Sequence, residues 1–147
     1  MKLSTRGRYT TKAALDLALN YEKGPAMLRE IAARQGISQR YLGQLIIPLT
    51  EAGLVKGIRG RSGGYMLARP PGDITLGEVI RVSEGDIRFE ECVDKPGICE
   101  KSDNCVIRDV WSETVEAVDK VLGSTTLQDL VDRRTGKEAV CPKQSQR

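Results

Sequence analysis

Histidine is absent from the 147 residues. That removes Ser–His and Cys–His catalytic dyads and any zinc site built on imidazole. Aromatic residues are only 4% of the chain, so the core must be aliphatic, and no platform is offered for stacking single-stranded bases. No apolar run approaches the roughly 18 residues that a membrane helix needs. The opening Met1-Lys2-Leu3-Ser4-Thr5-Arg6 has no apolar h-region, so no signal peptide is expected. A cytoplasmic, nucleoid-associated protein with reduced thiols is the expectation, with no membrane contact. A nucleotide loop and a paired-carboxylate pocket are missing as well, so an enzyme is not expected.

What is present is an uneven charge. The formal net charge is +3, but residues 1–69 carry 12 Lys+Arg against 4 Asp+Glu, a balance of +8. The rest carries 11 against 16, a balance of −5. A basic first half points to a polyanionic partner.

Periodicity supplies the elements. Tyr9, Ala13, Ala14, Leu17, Ala18 and Tyr21 predict an amphipathic helix over about residues 8–20, stopped by Lys23-Gly24-Pro25. Leu28, Ile31 and Ala32 predict a short helix over 28–35, closed by Gly36. Ser38 suits the N-cap of a third helix over 39–52, with Leu42, Leu45, Ile46 and Leu49 inward. Its other side carries Gln39, Arg40, Gly43, Gln44 and Ile47, and Pro48 should kink or shorten it. Residues 54–58 and 65–68 read as strands around the Gly-rich turn Arg59-Gly60-Arg61-Ser62-Gly63-Gly64. Thr75 and Glu78 form a capping box for a helix over 76–84. Residues 86–102 read as a loop. A long helix over 103–122 follows, then a short one from a Thr125/Gln128 capping box to about Arg134, and a disordered polar tail over 135–147. The fold class expected is mainly α with a small β wing.

Short helix, tight turn, helix with a polar outer face is the helix-turn-helix pattern, and the basic hairpin behind it makes a wing. The major groove admits one α-helix and offers base edges to Gln and Arg. Gln39, Arg40 and Gln44 are therefore the candidate base readers, with Ser38 and Tyr41 as phosphate or base contacts. Arg59 or Arg61 at the wing tip could enter the minor groove, where negative potential is greatest. Lys2, Arg6, Arg8 and Lys56 are candidates for phosphate contact. The expected partner is double-stranded DNA.

Cys92, Cys99 and Cys105 are spaced C-x6-C-x5-C, and Cys141 stands apart in the tail. Clustered thiols in a reducing compartment more often bind metal than pair as a disulfide. Structural zinc usually shows paired C-x2–4-C spacing, which is missing, whereas an iron–sulfur cluster tolerates wider spacing. Cys105 falls in the expected first turn of the long helix, where the dipole favours an anionic cluster. From spacing alone, zinc, a thiol switch and no ligand role all stay open.

Several segments resemble the Rrf2 family of bacterial regulators, whose branches include IscR, the nitric-oxide sensor NsrR and the cysteine-metabolism repressor CymR. They are Met1-Lys2-Leu3-Ser4-Thr5-Arg6-Gly7-Arg8-Tyr9, Glu30-Ile31-Ala32, Ile37-Ser38-x-x-Tyr41-Leu42-x-Gln44-Leu45, Pro48-Leu49-x-x-Ala52-Gly53-Leu54-Val55 and Arg59-Gly60-x-x-Gly63-Gly64-Tyr65. The resemblance covers about residues 1–134 and lies nearest the IscR branch. It implies a winged helix-turn-helix domain over 1–85 (wing 54–69), a cluster-binding loop over 86–102, and a dimerisation helix with a short final helix over 103–134. It implies a homodimer on a pseudo-palindromic operator, and an iron–sulfur cluster, 2Fe–2S ahead of 4Fe–4S, on Cys92, Cys99 and Cys105. The regulator would then sense cluster, iron or redox status. The fourth ligand departs from the pattern. The histidine of IscR-like members is replaced by Arg108, and the N-terminal carboxylate of nitric-oxide sensors by Arg8. Asp103, Glu100, Asp109, Cys141, a backbone group or solvent remain for that role. The alternatives are a CymR-like repressor controlled by a protein partner, a branch that generally lacks the three cysteines, and a zinc- or thiol-dependent winged-helix interaction module.

Overall fold

The computed structural model describes residues 2–140; Met1 and residues 141–147, including Cys141, lie outside the described residues. Helix α1 (Thr5–Leu19) starts three residues before the periodic signal, because the Ser4 hydroxyl caps it by accepting from the Gly7 N–H at 2.9 Å. Helix α2 (Leu28–Gln35) ends at Gly36, whose φ of 66° is left-handed, a conformation cheap only for glycine. Helix α3 (Gln39–Glu51) starts where Ser38 accepts from the Tyr41 N–H at 3.1 Å. Of the kink or shortening expected at Pro48, the shortening does not occur, and α3 runs through it. A proline so near the end of the helix forfeits a single intrahelical bond, which the packing of Leu45, Ile46 and Leu49 outweighs.

The wing is an antiparallel pair, β1 (Val55–Ile58) and β2 (Gly64–Leu67), in register Val55↔Leu67 to Ile58↔Gly64. Ala26, just before α2, adds a bridge to Tyr65 through bonds of 2.9 and 2.8 Å, which fixes the wing to the helix-turn-helix. Helix α4 (Leu76–Glu84) carries the expected capping box: Thr75 N–H donates to Glu78 at 2.8 Å, and Glu78 N–H donates to the Thr75 hydroxyl at 3.1 Å. Burial pushes the Glu78 carboxyl up, but the Thr75 N–H and the Arg69 guanidinium at 2.9 Å outweigh it and hold the group below the usual glutamate range.

One helical turn, α5 (Glu91–Asp94), and a 3-10 turn at Pro96–Ile98 interrupt the segment expected as plain loop, and a second 3-10 turn, Ser102–Asn104, stands where the long helix was expected to start. Helix α6 (Val106–Ser124) begins after Cys105, which is its N-cap rather than a first-turn residue, and passes Gly123. The last capping box uses Thr126 and Asp129, one residue beyond the expected pair, with bonds of 2.8 and 3.1 Å. Helix α7 (Leu127–Val140) continues past Arg134 and through Gly136, where the tail was expected to lose order. A helical glycine costs only about 1 kcal/mol against alanine, too little to end a helix already capped and docked. That docking is firm: Leu127 is fully buried, its N–H donates to Ile74 at 2.9 Å, and α7 packs on α1.

The core gathers Ala13, Leu17, Ile31, Leu42, Ile46, Leu49, Ile74, Val79 and Leu127. The chain leaves this core along α6 and returns to it in α7. Among the described residues no helix is long and apolar enough to cross a membrane.

Candidate nucleic-acid interface and thiol loop

Leu42, Leu45, Ile46 and Leu49 hold the inner side of α3 in the core, which leaves Gln39, Arg40 and Gln44 exposed. Ser38 is also exposed, with its hydroxyl oxygen already accepting from the α3 backbone. Tyr41 is half-buried and meets Tyr9 of α1 edge-on at 6.0 Å, while Lys12 Nζ lies 5.2 Å from the Tyr9 ring centre. Tyr41 thus fastens the start of α3 to α1, a structural task the sequence pattern did not reveal.

Arg59 and Arg61 are exposed at the hairpin tip, and Lys56 is exposed on β1. The tip glycines answer first to the hairpin itself. A Cβ on Gly63 would sit 2.2 Å from the Ile58 carbonyl oxygen, and one on Gly64 2.2 Å from that of Ala26. Arg6 and Arg8 are exposed in the first turn of α1. Lys2 is exposed too, but it lines a cleft with Glu84 at the end of α4, with Asp86 and Arg88 just after it, and with Val118 and Leu122 of α6. Two of the four acidic residues in the basic half, Asp16 and Glu30, are engaged. Asp16 is buried against Arg34 at 2.6 Å, which raises the arginine's pKa further, and Glu30 caps the Met27 N–H at 2.9 Å.

The thiols occupy three different settings. Cys92 is half-buried on α5, Cys99 is exposed after a 3-10 turn, and Cys105 is half-buried at the head of α6. All three are free of disulfides. The loop is tied to α6 by contacts that involve none of the sulfurs. Arg108 Nε donates to the Cys92 carbonyl at 2.8 Å, and Phe89 stacks on Trp111 at 5.7 Å with 2° between the planes. Arg88 pairs with Asp94 at 3.0 Å, and the Ser102 hydroxyl donates to the Pro96 carbonyl. Among the described residues no three Cys, Asp or Glu side chains converge as a metal-binding group. Free thiols are the donor type that an iron–sulfur cluster takes, although these three do not converge. Arg108, at the position where the resemblance led to the expectation of a fourth ligand, is a cation bound to the Cys92 carbonyl. Glu100, Asp103 and Asp109 are exposed.

No residue of α6 is buried, and Val106, Ile107, Val110 and Val121 are 74%, 61%, 54% and 62% exposed. This is a large apolar surface for one helix to leave in water.

The family model of Rrf2, an iron-dependent transcriptional regulator, matches residues 3–133. The chain belongs to the Rrf2 family. Over 138 residues it is 41% identical to the HTH-type transcriptional regulator CymR of Bacillus subtilis, covering 94% of this chain and 95% of that relative. It is 40% identical over 134 residues to the HTH-type transcriptional regulator IscR of Klebsiella pneumoniae, covering 91% and 82%. The solved structure of B. subtilis CymR, titled the global cysteine regulator, superposes with a TM-score of 0.77 at 42% identity over 90% of this chain and 98% of that one. T. potens IscR superposes with a TM-score of 0.76 at 40% identity over 99% and 94%. This Rrf2 protein is accordingly a winged-helix, DNA-binding transcriptional regulator and not an enzyme.

Proposed function

We propose that this Rrf2 protein acts as a homodimer on a pseudo-palindromic operator and reports iron–sulfur or redox status through Cys92, Cys99 and Cys105. The observation that carries the DNA half is the exposed set Gln39, Arg40 and Gln44 on a helix whose other side is locked into the core. In this reading α3 enters the major groove, and its side chains meet base edges. Arg59 and Arg61 reach the adjacent minor groove. Arg6, Arg8 and Lys56 lie along phosphates, and Ser38 and Tyr41 serve at the margin of the groove. Lys2 is the weakest member of the set, since Glu84 and Asp86 share its cleft. The apolar side of α6 pairs with its copy in a second subunit, which places two α3 helices on two half-sites.

The three cysteines would hold the cluster, 2Fe–2S ahead of 4Fe–4S as the resemblance implies. When bound, the cluster supplies iron that responds to oxidants and to iron supply. The rest of the device is protein. Arg108 ties the Cys92 turn to α6, and Phe89 rests on Trp111. The end of α6 is bonded back to the winged domain, Leu76 N–H donating to Thr125 at 2.7 Å. The order of the loop is thereby linked to the placement of α3, and a signal shifts this equilibrium only by favouring one arrangement over the other.

Anaerobic purification with a visible spectrum and iron and sulfide counts tests the cluster. Cys92→Ala should lose the colour and alter operator affinity while keeping its helical content. An unchanged spectrum in that variant would remove the three-cysteine assignment. The likeness to CymR over 95% of that relative favours a second reading, a repressor under a protein partner, in which anaerobic protein carries neither iron nor sulfide.

A further inference from the structure

Ile47 has no evident structural purpose. It is 58% exposed on α3, between Ile46 at 1% and half-buried Pro48. The other strongly exposed aliphatic residues lie at the N-terminus, in the wing, in the thiol loop and along α6. Ile47 alone among those large exposed aliphatics projects from a helix of the winged core. It continues the stripe of Arg40 and Gln44 at spacings of four and three residues, so the three share one side of the helix. Apolar side chains find one specific partner on the major-groove floor, the 5-methyl group of thymine.

We infer that Ile47 is a specificity-determining residue that reads a thymine methyl group beside the base contacted by Gln44. The inference rests on the reading that α3 lies in the major groove. At about 1.5 Å of rise per residue, Ile47 stands roughly 4.5 Å along the axis from Gln44 and roughly 10.5 Å from Arg40. At about 3.4 Å per base pair those separations are one to two steps and about three steps. The isoleucine thus lies within the span of one half-site. Withdrawing a methyl group and part of Ile47 from water offsets the exposure of an aliphatic side chain in the free protein. Substituting Ile47 should not unfold the domain, because little of it is packed.

The test uses the full-length protein and a duplex selected from a random pool by that protein. Each thymine of the half-site is replaced in turn by deoxyuridine, which deletes only the methyl group. Wild-type protein should bind about fourfold more weakly when one particular thymine is replaced, the loss expected for one buried methyl-sized group. Ile47→Ala should bind the thymine duplex less tightly and be indifferent to that replacement. The inference is overturned if no thymine shows the methyl effect, or if Ile47→Ala retains it in full. In either case a preference of the wild type for the selected duplex over a scrambled one would keep the major-groove reading intact. Absence of any duplex preference in the wild type would overturn both.

Discussion

The winged core and helix α6 are both rich in aliphatic residues, yet they use them in opposite ways. In the core, Ile31, Leu42, Leu49, Ile74 and Val79 are fully buried. Along α6 nothing is fully buried, and Val106, Ile107, Val110 and Val121 face water at more than half exposure. One region is complete within a single chain. The other meets α4 and α5 on one side and leaves Val106, Ile107, Val110 and Val121 uncovered on another, the side that the proposed dimer would close. The polar sides differ as well. The core's exposed helix α3 and wing carry arginine and glutamine, whereas the acidic excess sits in the second half with the thiols.

Breaking the comparison from the core side gives the largest effect. Leu42→Ala should destabilise the protein by about 2–5 kcal/mol in chemical denaturation, because the site is closed on every side. The matching truncation on α6, Val110→Ala, should change the stability of an isolated subunit by less than about 0.5 kcal/mol. An equally large loss at Val110 in dilute, monomeric protein would erase the contrast.

Val110→Asp should act on assembly instead. Sedimentation should show a monomer with unchanged helical content, and operator affinity should fall by about 100-fold or more as the two half-sites cease to be held together. A dimer that survives this substitution would move the interface away from α6.

Which of these features could be read in advance follows from where the signal resides. Helices α2, α3 and α4 were legible almost to the residue because Gly36, Ser38 and the Thr75/Glu78 box mark their ends locally. The onset of α1 was not, since Thr5 and Arg6 are polar and only the Ser4 cap announces them. The ends of α6 and α7 were misplaced because Gly123 and Gly136 read as stops, while docking of Leu127 and the Thr126/Asp129 box carries the chain past them. The candidate readers on α3 were legible from helical spacing. The tie between Arg108 and Cys92 was not, for it depends on α5 meeting α6 and leaves no periodic trace.

Smaller perturbations sharpen the link between the two regions. Arg34→Ala should cost about 1–3 kcal/mol, since it leaves the buried Asp16 carboxylate with only weaker partners, Gln35 at 3.2 Å and Asn20 at 3.5 Å. Thr75→Ala should cost about 1 kcal/mol through loss of the α4 cap. Glu78→Gln should keep much of that cap but flatten the acid limb of the stability curve. The folded pKa of Glu78 is depressed, so its contribution is present above the unfolded value of about 4.3 and disappears as pH falls through the folded one. Urea titrations from pH 6 downward would show the difference between wild type and variant growing smaller toward the acid end.

The most direct measurement is the salt dependence of binding to a selected duplex, followed by fluorescence anisotropy for wild type and for Arg59→Ala/Arg61→Ala. Wild-type affinity should fall steeply as salt rises. The double variant should bind more weakly, with a log–log slope shallower by about one for each phosphate it no longer neutralises. Equal affinities and equal slopes would contradict the placement of the wing on DNA.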